Sequence, residues 1–463
     1  MNKPPSSSFI QWGSRNMVQI LLLLLAAPLA AADYKAGVAR TVITPDKPIY
    51  LSGYASRNHP SEGVEHDLWA KALAIEDRKG GRVVIVTTDI IGLPRELSDL
   101  VAARVEKQYG LERSRLVLNS SHTHTGPVIR GNLETMFRMS PEETAVVREY
   151  SERLAENLVA VIGAALGDLK PASVAFGNGS AGFAINRREA TPAGVKLGVN
   201  RSGPTDHDVP VIRITAPDGK LRALVFGYAC HNTTLTGEFY KVSGDYSGFA
   251  QIELEKSNPG AAAMFLALCG ADQNPHPRSR LELAVEHGRT LAAAVERVLS
   301  GAMQRVSGPV RAAFQSVDLS FAHHTRETFE ARLKDPNPIR VAHATNMLKA
   351  YEQGTPVRKY SYPVQAVQFG KDLTLVALGG EVVVDYALRV KKEYGARGIA
   401  VAGYSNDVMS YIPSLRVLKE GGYEADASMI YYGLPGPYDE TVEERVFGTV
   451  RSVLKRVGRK ALR

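Results

Sequence analysis

Cysteine is scarce: Cys230 and Cys269 are the two in 463 residues. Two thiols so far apart in the chain do not make the close cysteine pair of a zinc-finger site. Each closes an apolar, strand-like run, and sequence leaves a disulfide and a pair of buried free thiols both open. Beyond the first 32 residues no apolar run reaches membrane-span length, so the mature chain is expected to be soluble. A dense Lys/Arg stripe is missing outside the last helix, although the net charge is +8. That excludes nucleic-acid binding as the reading and leaves a mild attraction to anionic surfaces. Internal repeats and long linkers are absent too. With 44% hydrophobic and 22% charged residues, the chain reads as one large globular domain.

What is present starts with a leader. Residues 1–16 carry Lys3 and Arg15 and no acid, residues 17–29 are apolar, and Ala30-Ala31-Ala32 offers small residues before Asp33. This order is that of a secretory signal peptide. Residues 1–32 are expected to be removed and residues 33–463 to form a secreted or periplasmic domain. An uncleaved anchor is the minor alternative, because the apolar core is short.

The periodicities predict an α/β fold: a mixed, largely parallel sheet with flanking helices. Val83–Thr88, a helix from Pro94 to Tyr109 and Arg115–Asn119 give a strand–helix–strand crossover, which implies parallel strands. Leu97, Leu100, Val101 and Val105 are expected on the helix's inner face, with Gly110 as its stop. Ser140-Pro141-Glu142-Glu143 supplies a cap, a first-turn proline and a capping box for a helix ending at Gly167. Pro217-Asp218-Gly219 predicts a hairpin between Val209–Thr215 and Leu221–Ala229. The stretch from Val310 to Tyr362 reads as less regular. In the last helix, Thr441–Val457, Val442, Val446, Val450, Val453 and Val457 face inward. Its basic end (Arg451 to Arg463) reads as a solvated terminus in preference to a patch for peripheral membrane-surface contact.

Chemistry-bearing residues collect where such strands end. His122 and His124 follow Leu116-Val117-Leu118, two apart and before Gly126-Pro127. In an extended chain they would share one face. His231 follows Leu224–Cys230, and Glu381 follows Leu378-Gly379-Gly380. A polar loop runs from Gly403 through Tyr411 to Gly422-Tyr423-Glu424. Each of these, alone, is more often a satisfied structural residue than a ligand.

Together they resemble the catalytic domain of the neutral (non-lysosomal) ceramidase family. The matching pieces are Ser121-His122-Thr123-His124-Thr125-Gly126-Pro127, Ile185-Asn186-Arg187-Arg188, Ala229-Cys230-His231, Ser243-Gly244-Asp245-Tyr246-Ser247-Gly248-Phe249-Ala250, Ala271-Asp272-Gln273-Asn274-Pro275, Gly379-Gly380-Glu381, and Tyr411 with Gly422-Tyr423-Glu424. The resemblance implies a zinc ion held by His122, His231, Glu381 and Tyr411. It implies that His124, Arg187 and Tyr423 flank the bound water and the substrate carbonyl. The implied activity is hydrolysis of the amide of ceramide or a related N-acyl lipid. The other readings are a zinc hydrolase for a different amide or ester, and a non-catalytic metal-containing binder. Asp245 and Asp272 are candidates for orienting the ligand histidines. Two departures stand out: Asn274 replaces the family's serine, and residues 33–463 are expected to form the catalytic domain without the family's C-terminal immunoglobulin-like domain. Sequence does not give the oligomeric state.

Overall fold

The computed structural model describes residues 32–462 and the isolated residues 1 and 4. The expected signal peptide therefore lies almost wholly outside the described residues. Ala32–Arg463 is one compact unit, and no helix among the described residues is long and apolar enough to cross a membrane.

The architecture is mixed α/β. A nine-stranded sheet runs in the order Ala262–Ala267, Leu221–Tyr228, Asp208–Thr215, Lys170–Ser180, Tyr34–Val42, Trp69–Asp77, Arg82–Thr88, Leu116–Ser120, with Gln304–Val306 also paired to Lys170–Ser180. A four-stranded sheet follows: Val310–Ser320, Lys359–Phe369, Leu373–Leu378, Ile399–Ala402. The period-2 alternation of each strand separates two cores. Leu73, Ile75, Val83 and Ile85 join Leu373, Leu375 and Phe369 in a core between the sheets. Ala70, Ala72, Val84 and Val86 face the other way, onto helices Arg95–Tyr109 and Pro141–Gly167. Val376, Leu378 and Val364 of the smaller sheet pack under helices Val384–Tyr394 and Val442–Val457.

The expected preponderance of parallel strands is not found. Parallel pairing in the two main sheets is confined to Arg82–Thr88 with Leu116–Ser120, Leu221–Tyr228 with Ala262–Ala267, and Leu373–Leu378 with Ile399–Ala402. The remaining pairs are antiparallel. Strands covered on both faces read as continuous apolar runs whichever way they pair, and turns such as Lys79-Gly80-Gly81 return the chain antiparallel. Leu100 is exposed, because the buried stripe of its helix follows Leu97, Val101 and Val105. The supposedly irregular stretch holds an 11-residue strand, Val310–Ser320. It lies at a sheet edge, half exposed, so its polar residues mask the alternation. The capping box at Ser140 forms, Gly110 ends its helix with φ 64°, and all five inward valines of the last helix are buried. Cys230 and Cys269 are buried free thiols.

Candidate metal centre

The three parallel pairs send their carboxyl ends to one place. Asn119 ties them together: its Nδ2 donates to Gly403 O (2.9 Å), Ala267 O (3.2 Å) and Ser405 Oγ (3.1 Å), and its Oδ1 accepts from Ala267 N (2.9 Å). His122, His231, Glu381 and the 403–424 loop all emerge around this knot.

His122 does not reach the site through strand alternation as expected. The strand ends at Ser120, and His122 itself has φ 62°, a left-handed conformation that costs a non-glycine residue about 1–3 kcal/mol. Its amide bonds Ile90 O and its Nδ1 bonds Ile91 O at 2.6 Å, which fixes the ring. His231 is fixed in the same way by Gly270 O, 3.0 Å from its Nδ1. Gly270 must be glycine: a Cβ there would lie 2.3 Å from Cys230 N. Glu381 and Tyr411 are brought side by side by a two-residue parallel ladder, Glu381–Val382 with Tyr411–Ile412.

The ligand atoms converge. Glu381 Oε2 lies 3.0 Å from His122 Nε2 and 3.1 Å from His231 Nε2, and Tyr411 Oη lies 3.2 Å from His231 Nε2. His122 and His231 ring centroids are 4.9 Å apart, close enough for one ion to bridge them. Ligands about 2.0–2.1 Å from a tetrahedral zinc stand about 3.3 Å from one another, so these spacings fit. The donor chemistry fits too. With Nδ1 donating to a carbonyl, a neutral imidazole turns the Nε2 lone pair inward. Burial, with Arg187 nearby, lowers His231 to about 4, so its ring is neutral at pH 7. Burial alone would raise Glu381; positive charge at the His122 and His231 Nε2 atoms, whether a proton or a cation, outweighs it and holds its carboxyl well below the usual range. Inward lone pairs facing an ionised carboxylate repel unless a cation lies between them.

His124 Nε2 lies 3.2 Å from His122 Nε2, and His122, His124 and His231 form a group able to hold a metal ion. Unlike the other two, His124 has no partner at Nδ1 among the described residues. Burial and the two neighbouring histidines lower its pKa well below the ordinary value. It is held from behind: Arg57 Nη1 donates to His124 O at 2.6 Å, and Tyr54 meets the ring edge-on with centroids 4.9 Å apart.

Arg187 sits at a β-bulge between Asn186 and Arg188, the kind of irregularity that re-aims a side chain. Its Nε donates to Glu424 Oε1 at 2.7 Å and its Nη2 to Tyr411 Oη at 2.9 Å. The Tyr423 ring is 5.4 Å from that of Tyr411, with Arg187 against both faces. All seven side chains singled out from the sequence thus lie in one cluster. Asp245 and Asp272 do not orient the histidines. Asp245 accepts from Leu235 N and Tyr246 N, and Asp272 from Val384 N and Asn186 Nδ2. Sequence reasoning missed Tyr432, whose hydroxyl donates to Glu381 Oε1, and Glu424, which bridges Arg187 and Arg188. A tyrosine next to Gly433 carries no signal of that role. Glu424 was visible only as part of a motif.

Residues 34–273 match the family described as neutral/alkaline non-lysosomal ceramidase, N-terminal. The neutral ceramidase of Pseudomonas aeruginosa is 24% identical over 247 residues, covering 52% of this chain and 36% of that protein. That of Drosophila melanogaster is 26% identical over 261 residues, covering 53% and 36%. The matched stretch thus spans little more than a third of these relatives' length. Among solved structures, the Pseudomonas aeruginosa neutral ceramidase superposes with a TM-score of 0.71 at 18% identity, covering 93% of this chain and 76% of that one. A ceramidase complexed with C2 gives 0.68 at 16% identity, covering 93% and 77%. At these identities the superpositions establish the fold, and the match over more than half the sequence establishes the lineage: this chain belongs to the neutral/alkaline non-lysosomal ceramidase family.

Proposed function

We propose that the protein is an exported zinc-dependent amidohydrolase that cleaves the N-acyl amide of ceramide or a related N-acyl lipid. The observation that carries this reading is the convergence of inward Nε2 lone pairs and an ionised carboxylate on one point. His122, His231, Glu381 and Tyr411 hold the ion. Zinc supplies a Lewis acid that brings the pKa of a bound water toward ~7. His124, a neutral imidazole in contact with the cluster, takes a proton at Nε2 and later returns it to the leaving amine. Arg187 and Tyr423 point donors at the carbonyl oxygen. Burial raises Tyr423 above the ordinary phenol range, so it keeps its proton and donates. Helpers of this kind beside the four ligands favour a catalytic over a closed structural site. The leader sequence supports export.

The test is zinc content together with fatty-acid release from a fluorescent N-acyl sphingosine. Stoichiometric zinc with release that stops on chelation and returns with zinc is expected. Stoichiometric zinc without turnover of any N-acyl amide sinks the hydrolase reading.

A further inference from the structure

The cavity that opens beside the cluster has a volume of about 430 Å³, and its wall carries two arginines and two histidines but no carboxylate. Arg187 is neutralised from behind by Glu424. Arg278 is not. Among the described residues it makes no ion pair. Its Nη2 donates to Tyr54 Oη at 2.9 Å, and its Nε is buried without a partner. Asp245 lies within its electrostatic reach but spends its oxygens on the amides of Leu235 and Tyr246. A half-buried guanidinium with an unmatched charge and an unmade hydrogen bond is costly unless something else supplies the anion.

The placement narrows what that anion is. Tyr54 touches the His124 ring with one edge and Arg278 with its hydroxyl, so Arg278 stands one phenol ring away from the reacting centre. Asn274 lines the same cavity as Arg278 and Arg187. Its Oδ1 is turned to Arg187 Nη1 and Thr233 Oγ1, both at 3.3 Å, which leaves its NH2 toward the cavity. Leu197 and Val199 line the same cavity and are 49% and 42% exposed. A neutral amide with two hydroxyls uses none of the charge at Arg278. An acyl chain on the apolar side and a carboxylate close to the amide uses all of it.

We infer that the site also takes an anionic amide of the N-acyl amino acid class, its carboxylate bound by Arg278 and the Asn274 amide. The inference rests on the amide-hydrolase reading for its reaction and on the unpaired guanidinium for its substrate class. Hydrolysis adds water across the C–N bond, giving a fatty carboxylate and a free amino acid, with no redox partner.

Two measurements on the zinc-loaded protein keep these separate. Binding is measured by calorimetry with dodecanesulfonyl-glycine and dodecanesulfonyl-ethanolamine, sulfonamides that are not cleaved and differ in the carboxylate. The carboxylate ligand is expected to bind about 10- to 100-fold tighter, the range for a charge-assisted pair. That ratio should fall to about 1 in Arg278→Gln and be partly kept in Arg278→Lys. Turnover is measured with N-lauroylglycine and N-lauroylethanolamine, and kcat/KM should favour the glycine amide in the same sense. An equal or weaker Kd for the carboxylate ligand in the wild type, or a ratio unmoved in Arg278→Gln, overturns the inference. A carboxylate preference in binding with neither amide cleaved upholds the anion site and removes the hydrolase reading instead.

Discussion

At the scale of single residues, two tyrosines near Glu381 should separate by function. Tyr423 makes no hydrogen bond to Glu381 among the described residues and, on the proposed reading, donates to a substrate oxygen. Tyr423→Phe should keep stoichiometric zinc and lose roughly 10²–10³ in kcat. Full activity in that variant would remove its oxyanion role. Tyr432 donates to the Oε1 of Glu381 that faces away from the histidines. Tyr432→Phe should therefore weaken zinc binding about 10- to 100-fold, read by competition with a chromogenic chelator. Unchanged zinc affinity would mean that this hydroxyl does not orient the carboxylate. His231→Ala marks the limit of the series, losing metal and activity together. The ligand types were legible because imidazole, carboxylate and phenol are identifiable wherever they occur. Tyr432 was not, since nothing local distinguishes it from Tyr431.

At the scale of elements, the knot at Asn119 joins strand Leu116–Ser120 at one edge of the large sheet, strand Ala262–Ala267 at the other edge, and the turn after Ile399–Ala402 of the second sheet. Asn119→Ala leaves several buried backbone groups without partners, each costing about 1–3 kcal/mol. A loss of roughly 3 kcal/mol or more in urea unfolding is expected, with zinc affinity falling alongside. A loss under about 1 kcal/mol would show that the sheet edges hold together by packing alone. Helix limits and caps were readable from Ser140, Glu143 and Gly110, whose signals act within a few residues. Strand polarity was readable only where a hairpin turn or a helical crossover declared it, at Pro217-Asp218-Gly219 and between Arg82–Thr88 and Leu116–Ser120. Apolar runs such as Trp69–Asp77 and Arg82–Thr88 are buried on both faces and look alike in either direction.

At the scale of the whole molecule, two buried carboxyls set an unusual pH response. Burial pushes Asp245 up to about 6 and Asp272 up to about 7. Between ~4, where such groups titrate in an unfolded chain, and about 7, the native state binds more protons than the unfolded one. The contribution of these groups to stability is therefore greatest below ~4 and is lost as pH rises through 6 to 7. Asp272→Asn should show a flatter decline than the wild type in Tm measured from pH 4 to 8. Parallel curves would show that Asp272 titrates normally in the folded protein.

The amino-acid sequence alone determined the α/β class, the helix caps and the identity of the side chains that could carry chemistry, because residue type, periodicity and capping are local properties. Only the tertiary structure decided that His122 turns into the site through a left-handed residue, that Ile91 and Gly270 carbonyls aim the imidazoles, and that Arg278 has no ion-pair partner among the described residues. A backbone carbonyl is the same group at every position, and a missing partner is a fact about every neighbour at once. Neither can be read until residues tens to hundreds of positions apart have been brought together.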